Sequence, residues 1–246
     1  VLAELPERTE ITLHVELSEE ERLFYEALRR SALERISSVG GQGPGDVRFQ
    51  VLAEIMRLRR ACCHPRLVVP GSPIASAKLQ AFAEIVTELR ENRHKALVFS
   101  QFVDHLALVR EWLDGEKIPY QYLDGSTPVK RRQEAVAAFQ AGRGDLFLIS
   151  LKAGGAGLNL TAADYVIHLD PWWNPAVEDQ ASDRAHRIGQ QRPVTIYRLV
   201  ARNTIEDMII DLHRHKRDLA DSLLEGAEMA ARMGVEEMMA LLKEAG

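Results

Sequence analysis

Five short, almost wholly apolar segments separated by helix-patterned stretches constrain this chain more than any other feature. They are 96–100 (Ala-Leu-Val-Phe-Ser), 118–123, 146–150 (Leu-Phe-Leu-Ile-Ser), 165–169 and 194–200. A strand with one wet face alternates apolar and polar residues, whereas a strand apolar on both sides lies in a parallel sheet sandwiched between helices. The intervening segments carry helical spacing: Leu79, Phe82, Ile85, Val86 and Leu89, then Leu106, Val109 and Leu113, then a helix opening at Pro128 and running through Phe139. The alternation predicts an α/β fold with a doubly wound, mostly parallel sheet. Loops at the carboxyl ends of such strands are where ligands bind. Gln101, the Gly125–Thr127 turn, the segment 152–159 and the segment 171–174 follow the first four of these strands, which puts them all on one rim.

Ahead of the sheet, Ile11, Leu13, Val15 and Leu17 alternate with polar neighbours, which predicts a strand with one buried face. Ser18 with Glu21 three residues later forms a capping-box pattern for a helix on which Phe24, Leu28, Ala32 and Ile36 step by four. Val51, Leu52, Ile55 and Leu58 form a second apolar stripe, and the glycine-rich stretch 40–45 between them reads as a turn. After the sheet, Ile205, Ile209, Leu212, Leu219 and Leu223 line a long amphipathic helix, with a shorter helix around 236–242. These patterns divide the chain into a linker strand and helical subdomain (1–75), an α/β lobe (76–202) and a helical tail (203–246).

A hydrophobic content of 46% over 246 residues supports a buried core, and no apolar run approaches the roughly eighteen residues that cross a bilayer. No membrane is therefore expected as a partner. A net charge of −5 excludes a uniformly basic surface, so any nucleic-acid contact has to come from a local patch. Cys62, Cys63 and His64 invite a metal reading. However, adjacent helical side chains diverge by about 100°, and no Cys-x-x-Cys or His-x-x-x-His supplies the remaining ligands. The two cysteines are expected to pack as small apolar groups where a helix ends at Pro65.

The chemistry concentrates between Asn174 and Gln190. Asn174-Pro175 at one end and Gly189 at the other bracket a single predicted helix, on which Gln180, Arg184 and Arg187 fall at i, i+4 and i+7 and share a face. Guanidinium groups pair with phosphate oxygens through parallel hydrogen bonds, and an arginine reaching a transferring phosphoryl group accelerates reaction by roughly 10³ to 10⁵. The plainer reading is a solvated face, since Asp183 precedes Arg187 by four residues in the order that favours a helical ion pair. In 152–157 (Lys-Ala-Gly-Gly-Ala-Gly) the glycines free backbone amides for an anion. Thr127 before Pro128 predicts a capped helix start facing the rim, and Ser100, Gln101 and Lys152 are further candidate phosphate contacts. Trp172 and Trp173 are expected to pack their loop down rather than stack on bases, and the basic run 213–217 reads as a solvated face.

Taken in order, the segments 96–102, 122–127, 150–160, 163–175 and 180–190 resemble the successive motifs of the superfamily-two helicase-like ATPases, specifically the Swi/Snf-related DNA translocases. The most specific is Gln-Ala-Ser-Asp-Arg-Ala-His-Arg-Ile-Gly-Gln at 180–190; Arg60-Ala-Cys-Cys-His-Pro65 and Thr204-Ile-Glu-Asp-Met-Ile209 extend the likeness to the flanks. The resemblance implies the carboxyl-terminal RecA-like lobe of an ATP-dependent motor on double-stranded DNA, with a brace helix in the tail. Arg184 and Arg187 would be catalytic, and Gly155, Gly157, Asn159 and Gln180 would contact nucleotide. Ser100, Gln101, Gly125, Ser126, Thr127, Lys152 and Ala153 would contact DNA. No Gly-x-x-x-x-Gly-Lys-Ser/Thr loop and no Asp-Glu pair for magnesium occurs. ATP and Mg are therefore expected to be held mainly by an N-terminal RecA-like lobe of the same protein, and the isolated chain to hydrolyse little ATP. Val1 in place of Met agrees with a piece of a longer protein. A DNA-bound protein is the expected load; the location would be nucleoid-associated cytoplasm in a bacterium or the nucleus in a eukaryote. A strand-separating DNA or RNA helicase lobe and a non-catalytic docking module are the alternatives.

Overall fold

A computed structural model describes residues 4–38, 43–153, 157–217 and 234–246. Along the chain run β1 (Arg8–Val15), α1 (Glu19–Ser38), α2 (Pro44–Cys63), a 3-10 turn at Pro65–Leu67, α3 (Ala77–Glu91), β2 (Ala96–Ser100), α4 (Val103–Gly115) and β3 (Tyr120–Leu123). There follow α5 (Val129–Gln140), β4 (Leu146–Ser150), β5 (Tyr165–His168), α6 (Pro175–Ser182), β6 (Val194–Ala201), α7 (Ile205–Arg217) and α8 (Val235–Glu244). The strands form one six-stranded sheet in the order β1-β6-β5-β2-β4-β3. β2 pairs parallel with β4 and β5, β3 with β4 and β5 with β6, and Val98 lies opposite Leu148 on one side and Ile167 on the other. β1 joins in the same sense, since the Val194 N–H donates to the Glu7 carbonyl and the Arg202 N–H to the Val15 carbonyl eight residues further along both strands. This is the doubly wound, parallel arrangement that the apolar segments predict, and β2 and β4 are buried at every position because both their faces are covered.

The chain divides into two compact units. The first comprises Val1–Leu13, Ala81–Asp170 and Pro175–Leu199. Its core forms around Leu97, Phe99, Phe139, Phe147, Val166 and Ile196. The second comprises His14–Gln80, Pro171–Asn174 and Val200–Gly246, and its core forms around Tyr25, Val51, Ile55, Leu58, Ile205 and Leu242.

In the second unit the thiols of Cys62 and Cys63 are fully buried at the end of α2 and form no disulfide. Arg59, 1% exposed, lies 5.5 Å from the Trp172 ring centre and 5.3 Å from that of Trp173, and donates to the Pro171 carbonyl at 2.8 Å. The two tryptophans are thus packed down onto a buried cation. Lys78 and Glu206, 1% and 0% exposed, form an ion pair at 2.6 Å. Tyr25 ties the unit together by donating to the Ala245 carbonyl at 2.8 Å and accepting from the Ile205 N–H at 2.9 Å.

Two local expectations are corrected. The alternating face of β1 is not buried: only Val15 is, and Ile11 is 36% exposed, because β1 is the sheet edge. Ser18 does cap α1, its hydroxyl accepting from the Glu21 N–H at 3.1 Å, but Glu21 does not close the reciprocal half of the box. Its carboxylate accepts from the Ala77 N–H at 3.0 Å instead, turning inward to satisfy the start of α3. Of the predicted tail helix, Leu219 and Leu223 lie outside the described residues.

Candidate functional site

The segment carrying the two arginines is not one helix. α6 stops at Ser182, after which Arg184 N–H bonds the Ala181 carbonyl and Ala185 N–H the Ser182 carbonyl in three-residue turns. Beyond this break helical bonding does not resume: the Arg184 carbonyl accepts from the Leu160 N–H at 3.1 Å and that of Ala185 from the Gln190 amide at 3.0 Å, so neither serves the N–H four residues ahead of it. Gln190 is the organiser that sequence reasoning missed. Its buried Nε2 also reaches the Ala163 carbonyl at 2.8 Å and the Thr161 carbonyl at 3.2 Å, while its Oε1 accepts from the Gln191 and Arg192 N–H groups. Gly189 takes φ +101°, a left-handed conformation that only glycine adopts readily, and so permits the reversal into Gln190.

The broken helix still brings the candidates together. Arg184, Arg187, Gln180, Lys152 and Gly157 line one open cleft of about 730 Å³, with Asp183 and His186 on its wall and Leu5, Val177 and Ile188 among its apolar members. Arg187 donates to the Leu158 carbonyl at 3.1 Å, anchoring it to the loop after β4. Burial, and next the charge of Arg187, lower the proton affinity of Arg184, against an opposing pull from Asp183. Asp183 is itself bonded by Arg8 at 3.3 Å, and Arg8 also holds Asp179 at 2.9 Å. His186 sits 2.9 Å from the Pro6 carbonyl, which requires Nε2 to carry the hydrogen. Asp183 is the one carboxylate lining the cleft among the described residues, so the donor set suits an anion and offers a hard divalent cation little. Asn159 is exposed on the same loop without lining the cleft, and Gly155 lies outside the described residues.

The rim candidates separate into exposed and buried groups. Lys152, Gly125 and Ser126 are exposed, and Thr127 is half-buried. Thr127 does not cap α5: its Oγ1 accepts from the Asp124 N–H at 2.9 Å, and the helix starts one residue later than expected, with Pro128 as the capping position. The turn is built by Asp124, whose carboxylate accepts from the Ser126 N–H at 2.8 Å and the Ser126 hydroxyl at 2.6 Å. The Ser126 hydroxyl and the Tyr122 hydroxyl hold the Asp124 carboxyl down at about 2. Ser126 and Thr127 border a second opening of about 640 Å³, apart from the arginine cleft.

Ser100 is 2% exposed; its hydroxyl donates to Asp170 and accepts from the Phe102 N–H at 3.1 Å, so it shapes the loop from beneath and has nothing to offer a ligand on the rim. Ala153 is also corrected, being 4% exposed with its methyl in the core and its carbonyl taken by Arg132 at 3.1 Å. Gln101 is half-buried, and both polar atoms of its amide are shielded from solvent with no hydrogen-bond partner among the described residues.

A family model described as the helicase conserved C-terminal domain matches residues 77–189. An ATP-dependent helicase of Mycoplasma pneumoniae is 37% identical over 245 residues, covering 99% of this chain and 23% of that protein. The C-terminal domain of the SWI2/SNF2 ATPase of Sulfolobus solfataricus superposes with a TM-score of 0.78 at 27% identity, covering 98% of this chain and all of that one. The core of the same ATPase, solved in complex with double-stranded DNA, gives 0.79 at 29% identity over 98% of this chain and 50% of that one. The chain spans about a quarter of the length of the curated relatives it matches.

Proposed function

The chain belongs to the Swi/Snf-related superfamily-two helicase-like ATPases, as a carboxyl-terminal RecA-like lobe, and from that premise we propose that it is the second half of an ATP-dependent translocase on double-stranded DNA. The observation that carries the reading is the convergence on one open cleft of Gln180 in α6 and Arg184 and Arg187 just after it with Lys152 and Gly157 from the loop after β4. In this reading ATP is the substrate and is bound between this lobe and an N-terminal RecA-like lobe that also holds its magnesium. Arg184 and Arg187 approach the phosphates from this side and offset the negative charge that spreads over the γ-phosphoryl oxygens in the transition state. Gln180 at the cleft wall orients the nucleotide. Lys152, Gly125, Ser126 and the Thr127 turn meet the duplex backbone, positioning it without reading its sequence. Closure on ATP and release after hydrolysis then move the two lobes stepwise along the duplex.

The test is the full-length protein with Arg187→Ala, assayed for ATP turnover at saturating duplex DNA. The expected loss is about 10³-fold, the scale of an arginine at a transferring phosphoryl group. A loss below about tenfold would remove Arg187 from the reaction.

A further inference from the structure

Arg132 occupies a position that the stability of its own helix does not explain. It lies in the first turns of α5, beside exposed Lys130 and Arg131, and no acidic residue stands in the first turn. The partial positive charge at a helix N-terminus disfavours cations there. Its side chain is nevertheless half-buried and donates to three backbone carbonyls: Thr127 from Nε at 2.9 Å, Asp124 from Nη2 at 3.1 Å and Ala153 from Nη1 at 3.1 Å. The first two belong to the turn after β3, and the third belongs to the loop after β4.

Those two loops have different duties in the function proposed above. The 124–127 turn faces the duplex, and its shape is fixed by Asp124. The loop after β4 presents Lys152 and Gly157 to the arginine cleft, and Arg187 is anchored to it at Leu158. The planar fork of one side chain therefore joins the two loops. We propose that Arg132 is a positioning residue that couples duplex engagement at the 124–127 turn to the geometry of the nucleotide cleft, touching neither DNA nor ATP itself. A displacement of the turn is passed to the Ala153 carbonyl, and from there to Lys152 next to it, which lines the arginine cleft. Without the fork the duplex still binds, but its binding no longer orders the cleft.

The inference rests on the translocase reading, and the experiment separates the two. Arg132→Ala and Arg132→Lys are made in the full-length protein; lysine keeps the charge but lacks the fork. ATP turnover is measured without DNA and at saturating duplex, together with duplex affinity from about 50 to 200 mM salt and the thermal midpoint. In both variants we expect DNA-stimulated turnover to fall at least tenfold, DNA-free turnover to stay within twofold, and the salt slope of binding to be unchanged. Parallel loss of both turnovers would overturn the proposal in favour of a purely structural role, as would full stimulation in either variant. A salt slope flatter by about one would overturn it too, because that is the signature of a lost phosphate contact. Should the alanine variant melt at the assay temperature, the lysine variant decides. Absence of DNA stimulation in the unmutated protein would instead defeat the translocase reading itself.

Discussion

In the second unit the buried Lys78 ammonium faces the buried carboxyl groups of Glu21 and Glu206, and this dictates an unusual dependence of stability on pH. Glu206 pairs with Lys78 and accepts the Ala201 N–H at 2.9 Å, so its charge is satisfied. Glu21, 1% exposed, has one oxygen on the Ala77 N–H, and its Oε2 has no hydrogen-bond partner among the described residues. Burial is the largest influence on it and, with the repulsion of Glu206, outweighs the Ala77 bond and the Lys78 charge; its carboxyl is pushed up to about 7 from an ordinary 4.5. The folded state thus holds a proton that the unfolded chain releases near 4.5. The stabilisation is complete below that value and is lost as pH rises through about 7. At 1.36 kcal/mol per pH unit, a shift of that size is worth on the order of 3 kcal/mol, an upper bound for a site that relaxes or admits water. Glu21→Gln keeps a carbonyl for Ala77 and cannot ionise. After about 1 kcal/mol for an extra buried amide hydrogen, the variant should be about 2 kcal/mol more stable than the parent at pH 8 and no more stable at pH 5. Urea unfolding at pH 5, 6, 7 and 8, followed by Trp172 and Trp173 fluorescence in a Trp112→Phe background, measures it. A variant that keeps the slope of the parent would refute the reasoning.

The first unit should respond to acid in the opposite sense. His168 is buried neutral beside Ser182 at 3.0 Å and stacks on Phe99; burial, then the charge of Arg198, lower its pKa to about 3. A depressed histidine gives stability above its unfolded pKa of about 6.5 that is lost on acidification, so between pH 6.5 and 5 the sheet should weaken by about 2 kcal/mol. Hydrogen exchange of β5 amides, corrected for intrinsic rates, reports it, and unchanged protection over that range would be the contrary result. Arg59→Lys removes the fork that lies against two indole rings and bonds Pro171. The expected cost is about 2 to 3 kcal/mol, from a desolvated cation–π contact and a charged hydrogen bond. A thermal midpoint lowered by less than about 2 °C would count against it.

What could be read ahead was what local pattern determines. β2 and β4 stood out because a strand apolar on both faces has few other places to go, and convergence of the loops followed once the strands were parallel. What could not be read was decided by groups distant in the chain. The spacing of Gln180, Arg184 and Arg187 is helical and nothing between them breaks a helix; yet α6 ends at Ser182, and past it the Leu160 N–H and the Gln190 amide claim the Arg184 and Ala185 carbonyls. Thr127-Pro128 has the form of a helix start, yet the Thr127 hydroxyl turns back to Asp124. Ser100 at a strand end gave no sign that Asp170, seventy residues on, would bury and bind it. The one local warning was Gly189 followed by a glutamine: a left-handed glycine puts the next side chain back over the turn, where a primary amide can serve several carbonyls.

Locality also explains how an acidic chain can carry a cleft lined mainly by cations. The net charge of −5 is a sum over the whole chain, and charges more than about 10 Å away are largely screened at moderate salt, so the cleft is governed by its own lining. That lining sets Lys152, Arg184 and Arg187 against Asp183, whose carboxylate Arg8 already engages. Burial and then Arg187 reduce the proton affinity of Arg184, so the two guanidinium groups are held together at an electrostatic cost. A phosphate between them converts that repulsion into two attractions, whatever base the nucleotide carries. In the function proposed above, anion affinity in this cleft would rest on the paired arginines, and choice among nucleotides on its apolar members Leu5, Val177 and Ile188 or on the proposed N-terminal lobe.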